Sequence, residues 1–200
     1  MLAFTTAVIF LMITPGPGVL STAGVGAAYG GRPGLQYVGG LFAGNNIVVL
    51  LVVSGIAAAV LAIPYARHVL FAASLCYLLY LAAKIAFAGS RLAFIHSETP
   101  PGFSGGLALQ LINPKCYLVN AAIFSGFAFW PENLIGEALV KFAILNLVWI
   151  PVHFLWLYAG IFLNRLDLGR GMQTAINAAM AIAMLAVVAI AAFSAMRDGL

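Results

Sequence analysis

The chain has 200 residues, 64% of them hydrophobic and 7% charged, with a net charge of +4 and a mean hydropathy of +1.09. Soluble domains run near a quarter charged, so this composition excludes a water-soluble globular fold. It points to an integral membrane protein with room for about six spans of ~20 residues.

The first apolar run covers about residues 2–25 and ends in the turn chemistry of AYGGRPG. It carries no basic n-region and no cleavage signal, so it reads as a retained first span. The second run is about 35–62 and stops at Pro64; the third is about 69–88. A polar stretch, GSRLAFIHSETPPGFSG, then forms the midpoint, about 89–104. The fourth run is about 105–129, stopped by Trp130-Pro131-Glu132; the fifth is about 139–163 and the sixth about 172–194. Barrel strands need only about ten residues and alternate polar with apolar. These runs are longer and do not alternate, so they read as helices. Cys76 and Cys116 fall in apolar runs and read as small buried hydrophobes, not a disulfide or metal pair. Nine basic residues scattered over short connections reflect orientation rather than a nucleic-acid partner. Arg32, Lys84, Arg91, Arg165 and Arg170 lie on one side and Arg67, Lys141 and Arg197 on the other, which favours both termini outside the cytoplasm.

Residues 14–18 read TPGPG inside the first run, and residues 113–115 read NPK inside the fourth. A shift of 99 residues lays Thr14-Pro15 on Asn113-Pro114. Three spans per half is an odd number, so the second copy enters the membrane from the opposite side. The expected fold is therefore all-α, six spans in one transmembrane domain over 1–200. It is arranged as two inverted three-helix repeats, about 1–90 and about 103–196, with helices 1 and 4 broken at the proline motifs. Interrupted helices at matching places in two halves point to a transport site.

A helix-interior proline removes a donor and frees a carbonyl, and such groups are tolerated in lipid only against protein or a wet cavity. One reading of TPGPG is a packing kink; four breakers in five residues, echoed at 113–115, favour a binding site. Lys115 lies near the middle of the fourth run, where a charge usually marks a pathway. The lysine either snorkels or meets a carbonyl, water or a substrate carboxylate. Gln110, Asn113, Tyr117 and Asn120 share one helical face that should look inward, for substrate or for interhelical hydrogen bonding. Asn146, His153 and Gly160 share a face of the fifth run, and His153 joins Lys115 as a candidate for moving protons. Asn45 and Asn46 lie beside Gly40-x-x-x-Gly44, whose glycines suit close helix approach. The candidate substrate site is thus Thr14, Pro15, Gly16, Pro17, Asn45, Asn46, Gln110, Asn113, Pro114 and Lys115. No metal-ligand spacing, no Ser-His-acid pattern and no cofactor motif appears, so no enzyme is expected. Glu98, Glu132, Glu137, Asp167 and Asp198 read as solvated faces and helix starts.

These residues resemble the LysE/RhtB family of bacterial amino-acid exporters. TPGPG followed by GGRPGLQYVGGLFAGNN is similar to that family's first two spans, ASLCYLLYLAAKIAF to its third and LQLINPKCYL to its fourth. The resemblance covers nearly the whole chain. It implies a multi-pass permease of the bacterial inner membrane that exports amino acids in exchange for protons and forms a homodimer. Its motifs fall on Pro15, Gly16, Pro17, Asn113, Pro114 and Lys115. Two departures stand out: the family often has Asp or Asn where this chain has Gly18, and an acidic residue where it has Asn45. The loss of both charges puts cationic substrates in doubt. The alternatives are export of another small solute, such as a metal cation or metabolite, and a non-transporting membrane scaffold.

Overall fold

Chain segments this apolar keep their backbone groups satisfied by winding into helices, and helices are what the computed structural model contains. It describes residues 1–13, 16–63, 65–87, 99–165 and 170–197. Among these the elements are α1 (Leu2–Ile13), α2 (Pro17–Tyr29), α3 (Gly31–Val53), α4 (Ile56–Leu61), α5 (Ala66–Ala86), α6 (Gly102–Ile112), α7 (Pro114–Gly126), α8 (Leu134–Arg165) and α9 (Arg170–Arg197). No strand occurs among the described residues. α3 and α8 are each long and apolar enough to cross a membrane. The pairs α1–α2 and α6–α7 reach that length together, bent by 47° and 62° at their breaks.

The connections follow from glycine and proline chemistry. Gly30 (φ 76°) and Gly55 (φ 78°) take a left-handed backbone that other residues avoid, and they separate α2 from α3 and α3 from α4. The midpoint segment ends earlier than the sequence suggests. Residues 88–98 lie outside the described part, and α6 begins at Gly102, inside the stretch expected to be loop.

Three helix pairs carry most of the packing: α3 against α6, α2 against α8, and α5 against α9. Two of them are glycine crossings. A β-carbon on Gly40 would strike the Phe103 carbonyl of α6, and one on Gly106 would strike the Tyr37 carbonyl of α3. Gly160 of α8 stands in the same way against the Ala23 carbonyl of α2, and Gly26 of α2 against the Leu157 carbonyl of α8. Small residues let backbones approach this closely, which is how helices gain contact in lipid, where the hydrophobic effect does not drive association. Gly44, the second glycine of the pair expected to favour close approach, faces Gln110 and the Leu107 carbonyl.

Two apolar clusters result. One, with Tyr37, Leu41, Leu81, Leu109, Trp149 and Leu157, surrounds the glycine crossings. The other joins α1, α3, α7 and the first half of α8 through Phe4, Val8, Val49, Ile123 and Leu145. Met12 packs against both. Not every apolar residue is inside: Cys116 is buried as expected, but Cys76 is exposed on the outer face of α5.

Candidate functional site between the two broken helices

Each half-helix that follows a break begins with proline. Pro17 opens α2 and Pro114 opens α7, where a missing N–H is no loss and the fixed φ suits the first turn. By helix position Pro114 therefore corresponds to Pro17, an offset of 97 residues rather than the 99 that pairs it with Pro15. Thr14 and Pro15 lie outside the described residues. The residues before the two prolines are extended: Gly16 at φ −155°, ψ 179° and Asn113 at φ −77°, ψ 105°. They differ in capping. The Asn113 side chain accepts the Lys115 N–H at 3.1 Å, whereas no side chain caps α2. The first N–H groups of α2 thus have neither an intrahelical partner nor a cap.

The two breaks meet. Lys115, half-buried at the second position of α7, sends its amine across to the TPGPG break. A β-carbon on Gly16 would lie 2.7 Å from Lys115 Nζ. Around this contact is a cavity of about 60 Å³. Gly16, Pro17 and Gly18 come to it from the first break, Asn113 and Lys115 from the second, Asn45 from α3, Gln110 from α6 and His153 from α8. Asn45, Gln110, Asn113 and His153 are all buried. Seven of the ten residues nominated from sequence for substrate binding line this space or open the half-helix beside it: Gly16, Pro17, Asn45, Gln110, Asn113, Pro114 and Lys115. Asn46 does not line it. Its side chain donates to the Phe42 carbonyl at 2.8 Å and accepts from Asn146 Nδ2 at 3.0 Å, tying α3 to α8.

The polar atoms of the cavity divide by sign. Lys115 Nζ and the start of α2 offer positive charge and N–H groups. Gln110 Oε1 is buried with no partner among the described residues, and it lies 3.9 Å from where a Gly18 β-carbon would stand. His153 Nδ1 lies 2.9 Å from the Trp149 carbonyl. A carbonyl only accepts, so in the neutral ring Nδ1 carries the hydrogen and Nε2 presents a lone pair. That nitrogen faces Gly18, 3.5 Å from its β-carbon position. The ring is held there by stacking on Trp149, with centroids 3.5 Å apart.

Some residues were not read from sequence as part of the site. Trp149, Val119, Leu11 and Met12 also line the cavity; nothing in an apolar run marks which of its members face a site. Cys116 and Asn120 line it too, and Asn120 was visible as part of the polar stripe. The stripe does not stay together. Gln110, Asn113 and Asn120 are buried, but Tyr117 is half-buried and lines a second cavity of about 510 Å³ on the other side of α7. Its hydroxyl donates to the Leu111 carbonyl at 2.8 Å, one of the groups freed by the break.

Glu137 corrects the reading of the acidic residues as solvated. It is buried, 2.7 Å from the buried Lys141, and it accepts the N–H groups of Phe129 and Trp130. Among the described residues, no three His, Cys, Asp or Glu side chains are grouped as metal ligands.

Comparison with known proteins agrees with the earlier resemblance. The cysteine/O-acetylserine efflux proteins of Escherichia coli K12, Shigella sonnei and Shigella flexneri are each 27% identical over 186 residues, covering 92% of this chain and 94% of theirs. No solved structure matches it significantly. The profile of the LysE type translocators matches residues 9–196, both breaks included, and the chain belongs to that family.

Proposed function

We propose that this protein exports a small zwitterion, an amino acid or close relative, across the bacterial inner membrane, and that the cavity between the breaks is its binding site. The observation that carries the reading is the Lys115 amine placed against Gly16, where two interrupted helices meet. The substrate carboxylate is bound by Lys115 Nζ and the uncapped start of α2. The ammonium is bound by the acceptors beside Gly18, Gln110 Oε1 and His153 Nε2. An amino acid needs one positive and one negative partner set a few ångströms apart, and this cavity offers both. Relatives named for efflux of cysteine and O-acetylserine support a substrate of this size.

The architecture we infer is six spans in two inverted halves, joined near residues 88–98. Two features support it. Each broken pair packs on the long helix of the other half: α3 meets α6 and α7, and α8 meets α1 and α2. The breaks also occur at one helix position, extended residue then proline. In this topology α2 and α6 lie on one side of the membrane and α1 and α7 on the other. The first side is closed by glycine crossings, the second by side chains such as Phe4, Val8 and Ile123. Alternating access then means exchanging which side is closed, with Lys115 and His153 carrying the proton that drives export.

Uptake of labelled amino acids into inverted vesicles tests the reading with Lys115→Met and Lys115→Arg. A charge-assisted hydrogen bond is worth about 1.5–3 kcal/mol, so Lys115→Met should lower transport efficiency about tenfold or more. Arg keeps the charge and should retain part of the activity. Parent rates in both variants, at equal protein level, would overturn the site assignment.

A further inference from the structure

Beside Lys115 the cavity wall holds a buried cluster: Asn45 of α3, 2% exposed, with Cys116 and Asn120 of α7, 6% and 1% exposed. Asn120 Nδ2 donates to the Cys116 carbonyl at 2.9 Å and to Asn45 Oδ1 at 3.3 Å. The Cys116 thiol donates to the same Asn45 oxygen at 3.5 Å. These contacts fix which way both amides point. The Cys116 carbonyl only accepts, so Asn120 must turn its nitrogen toward it. That nitrogen, together with the thiol, then requires the oxygen of Asn45. One face of each amide is used up. The other faces, Asn45 Nδ2 and Asn120 Oδ1, are buried with no partner among the described residues. One is a donor, the other an acceptor.

We propose that Asn45 and Asn120 form the subsite that reads the substrate's side chain, selecting a neutral group that both donates and accepts a hydrogen bond. The proposal rests on the reading of this cavity as an amino-acid site. A hydroxyl gives its hydrogen to Asn120 Oδ1 and takes one from Asn45 Nδ2. An alkyl group leaves both buried atoms unmet. An ammonium meets only the acceptor and is opposed by the Asn45 N–H; a carboxylate meets only the donor. A site built to hydrogen-bond a substrate group discriminates strongly against the analogue lacking it.

The test uses the full chain in proteoliposomes and measures competition by serine, alanine and 2,3-diaminopropionate against a labelled neutral amino acid. Serine and alanine differ by the hydroxyl alone. The parent should prefer serine about tenfold or more. In Asn120→Leu the serine-to-alanine ratio should fall toward one, a readout independent of how much protein is active. The near-isosteric Asn45→Asp exchanges the donor for an acceptor and should shift preference toward diaminopropionate. Equal affinity for serine and alanine in the parent overturns the subsite and leaves the amino-acid site standing, as does an unchanged ratio in Asn120→Leu. Absence of competition by any amino acid in the parent overturns both.

Discussion

The amine of Lys115 lies beside Gly16, 99 residues away in the chain, so closely that a β-carbon at Gly16 would lie 2.7 Å from it. The contact joins the NPK and TPGPG motifs, and it explains why Gly16 has no side chain. A methyl group there does not meet backbone; it meets the end of a flexible chain, which can move aside. Gly16→Ala should therefore fold normally and bind poorly, because Lys115 Nζ leaves the position in which it meets a carboxylate. The expected result is a rise in KM with little change in thermal unfolding in detergent. A variant that transports with parent KM would show that Lys115 acts from another position.

The glycines of the helix crossings obey a different rule. At Gly40, Gly106 and Gly160 a β-carbon would strike backbone carbonyls, which cannot step aside without moving a whole helix. Overpacking of this kind typically costs about 1–3 kcal/mol. Gly→Ala at each position should lower the unfolding midpoint in detergent. Gly126 is the control: nothing stands within 4 Å of its β-carbon position and it ends α7, so Gly126→Ala should leave the midpoint unchanged or slightly raised. Equal midpoints for all four variants would mean that the crossings are looser than the structure has them.

Asn46 and Asn146 form a polar link between α3 and α8, with Asn146 Nδ2 donating to Asn46 Oδ1 at 3.0 Å. Hydrogen bonds between membrane helices are worth about 0.6 kcal/mol on average and seldom above about 1.7 kcal/mol. A double-mutant cycle with Asn46→Ala and Asn146→Ala should return a coupling in that range. Asn46→Ala should leave serine and alanine competition in their parent ratio, in contrast to Asn120→Leu. A changed ratio would bring Asn46 into the binding site.

The helices and their breaks were legible because long apolar runs and clustered Pro and Gly act locally. The pairing of TPGPG with NPK was legible from their matching depth. What failed depended on phase or on distant chain. Cys76 sits in a run with few polar residues, and such a run does not say which face meets lipid. Helical turns counted through Asn113 put Tyr117 on the inner face, but the break turns α7 by 62° and carries Tyr117 to another cavity. The GFS at the start of α6 reads as loop, yet the helix already begins at Gly102, and its next turn brings Gly106 close to α3. The polar partners of Cys116 and Asn120 come from α3, 71 and 75 residues away, and no local pattern announces them.

The buried pair Glu137–Lys141 also escaped the local pattern, since i,i+4 pairs at helix starts are usually solvated. Its burial comes from the segment between α7 and α8, which folds back over it. Glu137 accepts the Phe129 and Trp130 N–H groups, while Lys141 donates to the Phe124 carbonyl at 2.8 Å and lies over the Phe4 and Phe129 rings, 5.8 and 5.7 Å from their centroids. The pair thus anchors the start of α1, through Phe4, to the α7–α8 connection. Removing one partner leaves the other buried and unpaired, whereas replacing both with apolar residues of similar size avoids that penalty. Glu137→Leu and Lys141→Met should each lower the unfolding midpoint, and the double variant should recover part of the loss. Recovery in the double variant would identify the uncompensated charge as the source of the damage. Additive losses would instead assign it to the backbone groups of Phe124, Phe129 and Trp130, which lose their partners in either case.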